Sequence, residues 1–354
     1  MKLKKLRILA PLAVGAMFLA ACGGDSGDGG GGGGGEAGNG GGGEGGEDRP
    51  SVVSVVSGPL GDRGFFDDAE RGMKMIAEAG SKTQTIESEE NNPSQWKSNL
   101  QLVSNGEWDI VITGTTQQHD NLDEVAQDFP DQLYITYDDV VEQPNVASIT
   151  YAQNEGSFLA GVLAGIATTD TDTFDKSDGN KKVGVLGGMD IPVINDFIVG
   201  FEKGAKSVDE DIEILVSYVG DFNDPNTGYD QTKAMFQQGA DVVFAVAGGS
   251  GLGTLKASAD ADKYSIGVDM DQNDEEPGHV IASMLKDIGV SLNNAIDAYV
   301  AGDLKFGETT VYGLEDGGVK LVYAEDIVPQ DVIDQVDGYI EQVLSGEIEV
   351  PTAF

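Results

Sequence analysis

From residue 51 onward, the chain alternates between short runs of β-branched residues and segments with helical periodicity. In segment 94–104, for example, Trp96, Leu100 and Val103 follow one another at the i, i+4, i+7 spacing of a helix. Alternation of this kind predicts parallel sheets covered by helices, which is an α/β fold. The predicted strands are 51–57, 109–113, 133–137, 146–150, 182–186, 213–219, 241–247 and 265–268.

The predicted strands fall into two groups, and a chain of 354 residues is long enough for two domains. We therefore predict two α/β lobes that face each other across a cleft. In open α/β sheets, ligands bind at the carboxyl ends of the strands. The residues that follow each predicted strand are thus the candidates for a site.

In the first group, aromatic and acidic residues follow two of the predicted strands. Asp62, Phe65 and Phe66 lie in a glycine-rich turn after strand 51–57, where adjacent rings are exposed unless something covers them. Asp138 and Asp139 follow strand 133–137, and a carboxylate there can accept hydrogen bonds from ring N–H, amino or hydroxyl groups. The alternatives are rings that cap the core and acidic residues of a solvated turn.

In the second group, candidate residues again follow the strands. Phe222 stands among polar residues after strand 213–219, and Gly248 opens a glycine-rich loop in which the backbone can approach a ligand closely. Asp269 follows strand 265–268. Lys286 ends an apolar stretch at the point where the chain should return to the first lobe, although a lysine in such a position is usually solvated.

The sequence lacks the familiar catalytic and cofactor motifs. The glycine loop 248–253 imitates a dinucleotide fingerprint but has Thr254 where the third glycine belongs, and segment 269–274 lacks the sixth-position glycine of a calcium-binding EF-hand loop. No nucleophile elbow or Walker loop occurs, and 2 histidines with 1 cysteine leave too few ligands for a transition-metal site. We therefore expect no cofactor, no metal and no catalytic residue.

The N-terminal segment has the pattern of an export signal. Residues 1–21 hold four basic and no acidic side chains, and an apolar run too short to span a membrane ends in Leu-Ala-Ala before Cys22. This arrangement resembles a bacterial lipobox, in which the cysteine thiol is acylated, for example with palmitate, and becomes the new N-terminus. We predict a lipoprotein signal peptide at 1–21 and lipidation of Cys22; the alternative is an ordinary signal with an incidental cysteine.

Residues 22–50 cannot build a core. Segment 23–50 holds 17 glycines and no large apolar residue, so we predict a disordered tether. The formal charge of the whole chain is −40, and it becomes −44 once the four basic residues of the signal are removed. Such a charge repels phosphate backbones and no basic patch offsets it, so we expect no nucleic-acid partner.

Four sequence blocks occur in order along the chain: 62–65 (DRGF), 154–161 (NEGSFLAG), 187–194 (GGMDIPVI) and 239–244 (GADVVF). Together they resemble the basic membrane protein family, the lipoprotein substrate-binding components of ABC importers, and in particular its purine nucleoside receptors. The resemblance covers essentially all of residues 51–354. It implies a type I periplasmic-binding fold, in which two Rossmann-like lobes with parallel sheets are joined by hinge strands and close on a small molecule.

The resemblance also implies boundaries for the two lobes. The first lobe would comprise 51–152 and be completed by about 275–305. The second lobe would comprise 153–274 and be completed by about 306–354.

In such proteins, an aromatic residue from each lobe sandwiches the base of a nucleoside, which suggests Phe65 and Phe222. The acid Asp138 would then hold the edge of the base. The ribose hydroxyls would be bound by Gly248, Asp269 and Lys286. With Asp62 and Phe66 from the same loop as Phe65, these are the eight ligand-binding residues that we predict.

Two positions depart from the family pattern. Phe66 stands where the family usually has an asparagine directed at the base, and Asn195 replaces a common arginine. Sugar-binding relatives of the same fold also carry paired aromatics in this loop, so a free sugar or sugar-like signal is an alternative ligand. A less favoured alternative is a nucleoside hydrolase that uses Asp62, Asp67 and Asp68 with a bound cation.

We therefore predict a lipid-anchored solute-binding protein on the extracytoplasmic face of the cell membrane, and not an enzyme. It would act as a monomer, bind a nucleoside with a purine base, and deliver this ligand to the permease and ATPase subunits of an ABC importer.

Overall fold

The computed structural model describes residues 49–354, so the predicted signal peptide, Cys22 and nearly all of the predicted tether lie outside the described residues. Arg49 and Pro50 correct the predicted end of the tether, because both belong to the folded body. Arg49 Nη2 lies 2.7 Å from Asp297 Oδ1, and Pro50 is buried. The ion pair and the burial fix the chain two residues before the predicted boundary.

Strands and helices alternate through most of the described chain. The strands are β1 (Val52–Val56), β2 (Thr83–Glu87), β3 (Ile110–Gly114), β4 (Leu133–Tyr137), β5 (Val146–Tyr151), β6 (Lys182–Gly187), β7 (Glu213–Tyr218), β8 (Val242–Val246), β9 (Tyr264–Asp269), β10 (Val280–Lys286), β11 (Thr309–Tyr312) and β12 (Val319–Tyr323). The helices are α1 (Phe65–Glu78), α2 (Pro93–Val103), α3 (His119–Asp128), α4 (Gln153–Thr169), α5 (Pro192–Val208), α6 (Pro225–Gln237), α7 (Leu252–Ala261), α8 (Ile288–Ala301) and α9 (Gln330–Leu344).

The strands form two six-stranded sheets, one in each lobe. The first sheet has the order β11-β5-β4-β3-β1-β2 and is parallel throughout. The second has the order β12-β10-β9-β8-β6-β7 and is parallel except for the edge strand β12. The inner strands β1 and β8 are buried along their whole length. Helices on both faces of a parallel sheet explain why these strands are nearly continuous apolar runs. The predicted fold class is confirmed.

All eight predicted strands are present, and four further strands were missed. β2 and β11 are edge strands with polar sequences, TQTIE and TTVY, and a largely exposed edge does not require the apolar pattern of a buried strand. β10 is an apolar run buried in the second sheet, whose sequence alone does not distinguish a strand from a buried helix.

The chain passes between the lobes three times: between β5 and α4, between β10 and α8, and between β11 and β12. The predicted lobe boundaries differ from this path in two places. β10 lies within 275–305, which we assigned to the first lobe, yet it pairs within the second sheet. β11 lies within 306–354, which we assigned to the second lobe, yet it pairs with β5 of the first sheet. The pairing partners of these strands decide their lobe, and no local sequence signal reports them.

Glycines allow close packing of α4 against α5 in the second lobe. A Cβ atom at Gly161 would lie 2.1 Å from the Phe201 carbonyl oxygen, and one at Gly204 would lie 1.9 Å from that of Phe158. Any larger side chain at either position would push the helices apart. This contact explains Gly161, the last residue of the 154–161 sequence block, whereas Gly156 of the same block packs on Met284 and Val319.

Candidate ligand-binding cleft

A cleft between the lobes collects the carboxyl ends of strands from both sheets. Its volume is about 980 Å³, including the part that is open to solvent. All eight residues predicted from the sequence line this one cleft: Asp62, Phe65, Phe66, Asp138, Phe222, Gly248, Asp269 and Lys286. Their contacts with a ligand remain predictions.

Phe65 and Phe66 begin α1, directly after the loop that follows β1. Their ring centroids lie 5.4 Å apart in an edge-to-face arrangement, and the Phe65 ring lies 5.5 Å from the buried ring of Tyr137. Both phenylalanines are only partly buried, and both line the cleft. The neighbouring rings therefore hold Phe65 in place at the cleft surface.

Asp62 holds the loop that carries these rings. Its Oδ1 accepts hydrogen bonds from the N–H groups of Gly64 and Asp67, both at 3.1 Å, and its Oδ2 accepts one from Phe66 at 2.9 Å. Burial raises the pKa of Asp62, and these backbone hydrogen bonds oppose the rise. Because the carboxylate satisfies N–H groups at the start of α1, it fixes the position of Phe65 and Phe66.

Phe222 lies in the second lobe, in the loop between β7 and α6. Its ring packs on glycine backbone, since a Cβ atom at Gly188 would lie 2.3 Å from the ring and one at Gly248 would lie 3.7 Å from it. The Ser250 N–H donates a 2.9 Å hydrogen bond to the Phe222 carbonyl oxygen. The loop ends where Asp224 accepts a 3.1 Å hydrogen bond from the Thr227 N–H and so caps α6. The ring therefore has a defined place opposite the first lobe.

Asp138 and Lys286 form an ion pair that joins the lobes. Lys286 Nζ lies 2.5 Å from Asp138 Oδ1, and the two side chains are only 2% and 9% exposed, respectively. Burial raises the pKa of Asp138, and the Lys286 ammonium opposes the rise. The bond uses one carboxylate oxygen and one of the three ammonium donors, and the structure of residues 49–354 gives neither group a further partner. Oδ2 of Asp138 and two N–H donors of Lys286 are therefore available to a ligand.

Three aromatic rings surround the Lys286 ammonium. Nζ lies 5.4 Å from the Phe65 ring centroid and 5.2 Å from those of Tyr151 and Phe197. Ring faces attract a desolvated cation, so the three rings favour the ammonium at this position. Tyr151 and Phe197 were not predicted, because they lie in a strand and a helix, respectively, within apolar stretches typical of a core.

Asp269 is a buried acid whose carboxylate accepts no hydrogen bond from any donor in the described part of the chain. The residue is 7% exposed. Burial raises its pKa to about 7; the Lys286 ammonium opposes the rise, and the charges of Asp62, Asp138 and Asp68 add to it. Asp269 thus offers two free acceptor oxygens and changes charge near neutral pH.

At the cleft, four strands are followed or closed by a residue whose backbone has a positive φ angle. The φ angles are 78° for Thr115 after β3, 61° for Asp138 after β4, 53° for Gly248 after β8 and 65° for Asp269 at the end of β9. Residues other than glycine rarely adopt such angles, and in folded proteins they cluster at ligand sites. The strand ends are therefore held in conformations that the surrounding fold has to enforce.

Several polar residues of the cleft were not predicted. Ser57 and Thr115 directly follow β1 and β3, and their buried hydroxyls have no hydrogen-bond partner among residues 49–354. Glu90 and Asn223 also line the cleft, and burial raises the pKa of Glu90. The strand-end rule that located Asp138 would also have located Ser57 and Thr115.

Two sequence features lie away from the cleft. Asn195, which departs from the family pattern, donates to Asp190 Oδ1 at 2.9 Å and accepts from the Tyr218 hydroxyl at 2.6 Å. Asp139 lies 3.0 Å from His119 Nδ1, and only its neighbour Asp138 lines the cleft. Neither Asn195 nor Asp139 is placed to contact a ligand there.

The carboxylates of the hydrolase alternative are engaged by the protein itself. Asp67 accepts hydrogen bonds from the N–H groups of Gly61 at 2.8 Å and Arg63 at 3.0 Å. Asp68 accepts from Arg71 Nε at 2.6 Å and from the Gly289 N–H at 2.9 Å, which ties α1 to α8. Between residues 49 and 354, no cluster of three or more metal-binding side chains occurs. These carboxylates therefore stabilise the loop and the α1–α8 contact.

Two α/β lobes, three connections between them and an interlobe cleft define a type I periplasmic-binding protein of the solute-binding class. The chain belongs to the Bmp family, whose model, described as "ABC transporter substrate-binding protein PnrA-like", matches residues 49–353. The predicted family is thereby confirmed.

The relatives that resemble this chain match most of its length and most of their own. The chain is 30% identical to the "CD4+ T-cell-stimulating antigen" of Listeria monocytogenes, over 83% of this chain and 86% of that protein. It is also 30% identical to the "ABC transporter nucleoside-binding protein BmpA" of Lactococcus lactis, over 74% and 76%. Among solved structures, a solute-binding protein of an ABC transporter from Aeropyrum pernix K1 superposes with a TM-score of 0.76 at 26% identity, covering 85% of this chain and 93% of that one.

Family membership establishes the general role of the chain. Substrate-binding proteins of ABC transporters bind small molecules on the extracytoplasmic side of a membrane, work with a permease and an ATPase, and are not enzymes. None of the helices between residues 49 and 354 is long and apolar enough to cross a membrane.

Proposed function

We propose that the chain binds a nucleoside with a purine base in the interlobe cleft and delivers it to an ABC importer. One observation carries the proposal: Phe65 of the first lobe and Phe222 of the second line the same cleft, together with the Asp138–Lys286 pair and Asp269. A relative of the same family is named nucleoside-binding, which supports the same ligand class.

The two phenylalanine rings suit a flat base. A base stacked on an aromatic side chain gains roughly 1–3 kcal/mol, and a ring from each lobe could contact both faces of one base. Such contacts form fully only when the lobes are closed, so stacking links ligand binding to closure. The free Oδ2 of Asp138 can accept a hydrogen bond from a ring N–H at the base edge.

Asp269 and Lys286 suit the vicinal hydroxyls of a ribose. Asp269 has two free acceptor oxygens, and the Lys286 ammonium keeps two donors after its bond to Asp138. Hydrogen bonds to charged groups are about twice as strong as those between neutral groups, and most strongly so in a buried site. The ribose would therefore sit near the ion pair.

A free sugar is the second candidate ligand, and Phe66 is the observation that favours it. This ring lines the cleft beside Phe65 where the family usually has a base-directed amide. However, the adjacent acids Asp138 and Asp139, which could bind sugar hydroxyls as a pair, do not act together, because only Asp138 lines the cleft. We therefore rank the sugar below the nucleoside.

Thermal unfolding in the presence of guanosine, inosine, adenosine or ribose tests the ligand class. A ligand that binds only the folded state raises Tm in a concentration-dependent manner. We expect a rise with purine nucleosides and none with ribose at equal concentration. A rise with ribose and none with any nucleoside would replace the first proposal with the second.

The acylated Cys22 would anchor the protein as a monomer to the outer face of the cell membrane, and the tether would let the lobes reach the permease. Expression of the full chain and of its Cys22→Ala variant in a bacterial host tests this anchor. The wild-type chain should sediment with membranes and the variant should not. Equal membrane recovery of the two would contradict the anchor.

A further inference from the structure

Two buried hydroxyls in the cleft lack partners. Among residues 49–354, twelve buried side-chain polar atoms have no hydrogen-bond partner, and only Ser57 Oγ and Thr115 Oγ1 belong to residues that line the cleft. Ser57 is 3% exposed. A buried hydroxyl without a partner costs free energy, so a polar group that enters the cleft is the natural partner of both.

The two hydroxyls lie in one row with Asp138. The last residue pair of β1 and β3 is Ser54 with Ile112, and extending this register by three residues places Ser57 beside Thr115. β3 and β4 pair in the register Gly114 with Tyr137, which continues to Thr115 beside Asp138. The Thr115 N–H also donates a 3.0 Å hydrogen bond to the Tyr137 carbonyl oxygen. Ser57, Thr115 and Asp138 therefore follow one another across the carboxyl edge of the first sheet.

The backbone at Thr115 supports a role in binding. Its φ of 78° is an outlier for a β-branched residue, which the surrounding structure must enforce. Within this sheet, the Thr113 hydroxyl donates to the Val55 carbonyl oxygen at 2.8 Å, whereas the unpartnered hydroxyls of Ser54 and Thr136 lie away from the cleft. Thr115 is strained and unsatisfied at the same point, at the cleft surface.

We propose that Ser57 and Thr115 are specificity-determining residues whose hydroxyls donate hydrogen bonds to the base, and that the row with Asp138 selects 6-oxopurine nucleosides. This inference rests on the proposed nucleoside function. Along the row, the Ser57 and Thr115 hydroxyls can donate and the Asp138 carboxylate can accept. A 6-oxopurine offers the complementary order along its edge, with acceptors at N7 and O6 followed by the N1–H donor. Adenine offers an acceptor, a donor and an acceptor. The Thr115 hydroxyl can rotate to accept from the adenine amino group, so the mismatch that remains is adenine N1 against the Asp138 carboxylate, which are both acceptors.

Isothermal titration of two variants tests the assignment. Thr115→Val removes the donor to O6 and keeps the β-branched shape, and Ser57→Ala removes the donor to N7. We expect each variant to bind inosine about fivefold or more weakly than the wild-type chain. Thr115→Val should bind purine riboside, which lacks O6, as tightly as the wild-type chain does. Likewise, Ser57→Ala should bind 7-deazainosine, which lacks N7, as tightly as the wild-type chain does.

Matched controls separate binding from folding. Ser54 and Thr136 carry buried, unpartnered hydroxyls in β1 and β4 and do not line the cleft. Ser54→Ala and Thr136→Val should therefore change inosine affinity by less than about twofold, a difference too small to represent a lost hydrogen bond. If the wild-type chain binds inosine and all four variants bind it equally well, the inference is overturned and the nucleoside function stands. If the wild-type chain binds no nucleoside, both are overturned.

Discussion

Lys286 Nζ lies 2.5 Å from Asp138 Oδ1 and joins the last residue of β10 in the second sheet to the residue after β4 in the first. The pair stands where the chain passes from β10 to α8, so it links the lobes beside one of their three connections. The same pair supplies a free carboxylate oxygen and free ammonium donors to the cleft. One buried interaction thus links the two lobes and presents polar groups to the cleft.

Removing one member of this pair should be costly. Lys286→Met leaves the Asp138 carboxylate buried without its partner, which typically lowers the free energy of unfolding by about 3 kcal/mol or more. The double variant Asp138→Asn, Lys286→Met should lose clearly less than the sum of the two single losses, as a urea-unfolding cycle would measure. Lys256→Met, which removes an exposed pair with Asp260, is the control and should lower the free energy of unfolding far less than Lys286→Met does. Additive losses at Asp138 and Lys286 would show that the two groups do not interact.

Phe222 should contribute directly to affinity. Phe222→Ala removes one of the two rings proposed to stack on the base, and we expect nucleoside affinity to fall at least about tenfold, or 1.4 kcal/mol. Leu102→Ala on α2, which removes a side chain that is exposed and outside the cleft, is a control that should leave the dissociation constant unchanged. An unchanged dissociation constant for Phe222→Ala would remove this residue from the site.

Asp269 should lower stability in the ligand-free protein at neutral pH. Its pKa is raised to about 7 from the usual 3.8, so the folded state binds a proton that the unfolded state has lost. The contribution of Asp269 therefore lowers the free energy of unfolding as pH rises from about 4 to 7. Asp269→Asn should be more stable than the wild-type chain at pH 8, and this difference in the free energy of unfolding should shrink toward pH 4. Urea unfolding at both pH values measures this. A gap that does not change with pH would contradict the raised pKa.

Asp269 should also distinguish ribose from deoxyribose. If its carboxylate accepts hydrogen bonds from the ribose hydroxyls, Asp269→Ala should weaken binding of a ribonucleoside more than binding of the 2′-deoxy compound. Calorimetric titration of both ligands against both proteins gives the comparison. Equal losses for the two ligands would show that Asp269 has another role.

The fold could be predicted from the sequence because its inner strands are buried on both faces and therefore form unmistakable apolar runs. The strands β2 and β11 were not predicted, because their edge positions permit polar residues such as those of TQTIE and TTVY. The path of the chain between the lobes was not predicted correctly either. It depends on which sheet β10 and β11 join, and that choice is made by tertiary packing and not by local sequence.

The candidate site could be predicted in outline because the carboxyl ends of parallel strands share one edge. That rule located residues such as Asp138 and Asp269, whose side chains stand out in composition. It did not locate Tyr151 and Phe197, which surround the Lys286 ammonium but lie within apolar segments. Their contribution follows from three-dimensional proximity alone.

The central claim is that the cleft recognises a nucleoside and not a free sugar, and isothermal titration of the wild-type chain tests it most directly. Titration with inosine, guanosine, adenosine and ribose should give saturable binding of purine nucleosides, with inosine and guanosine tighter than adenosine, and no measurable heat of binding for ribose. Saturable binding of ribose with no response to any nucleoside would contradict the account.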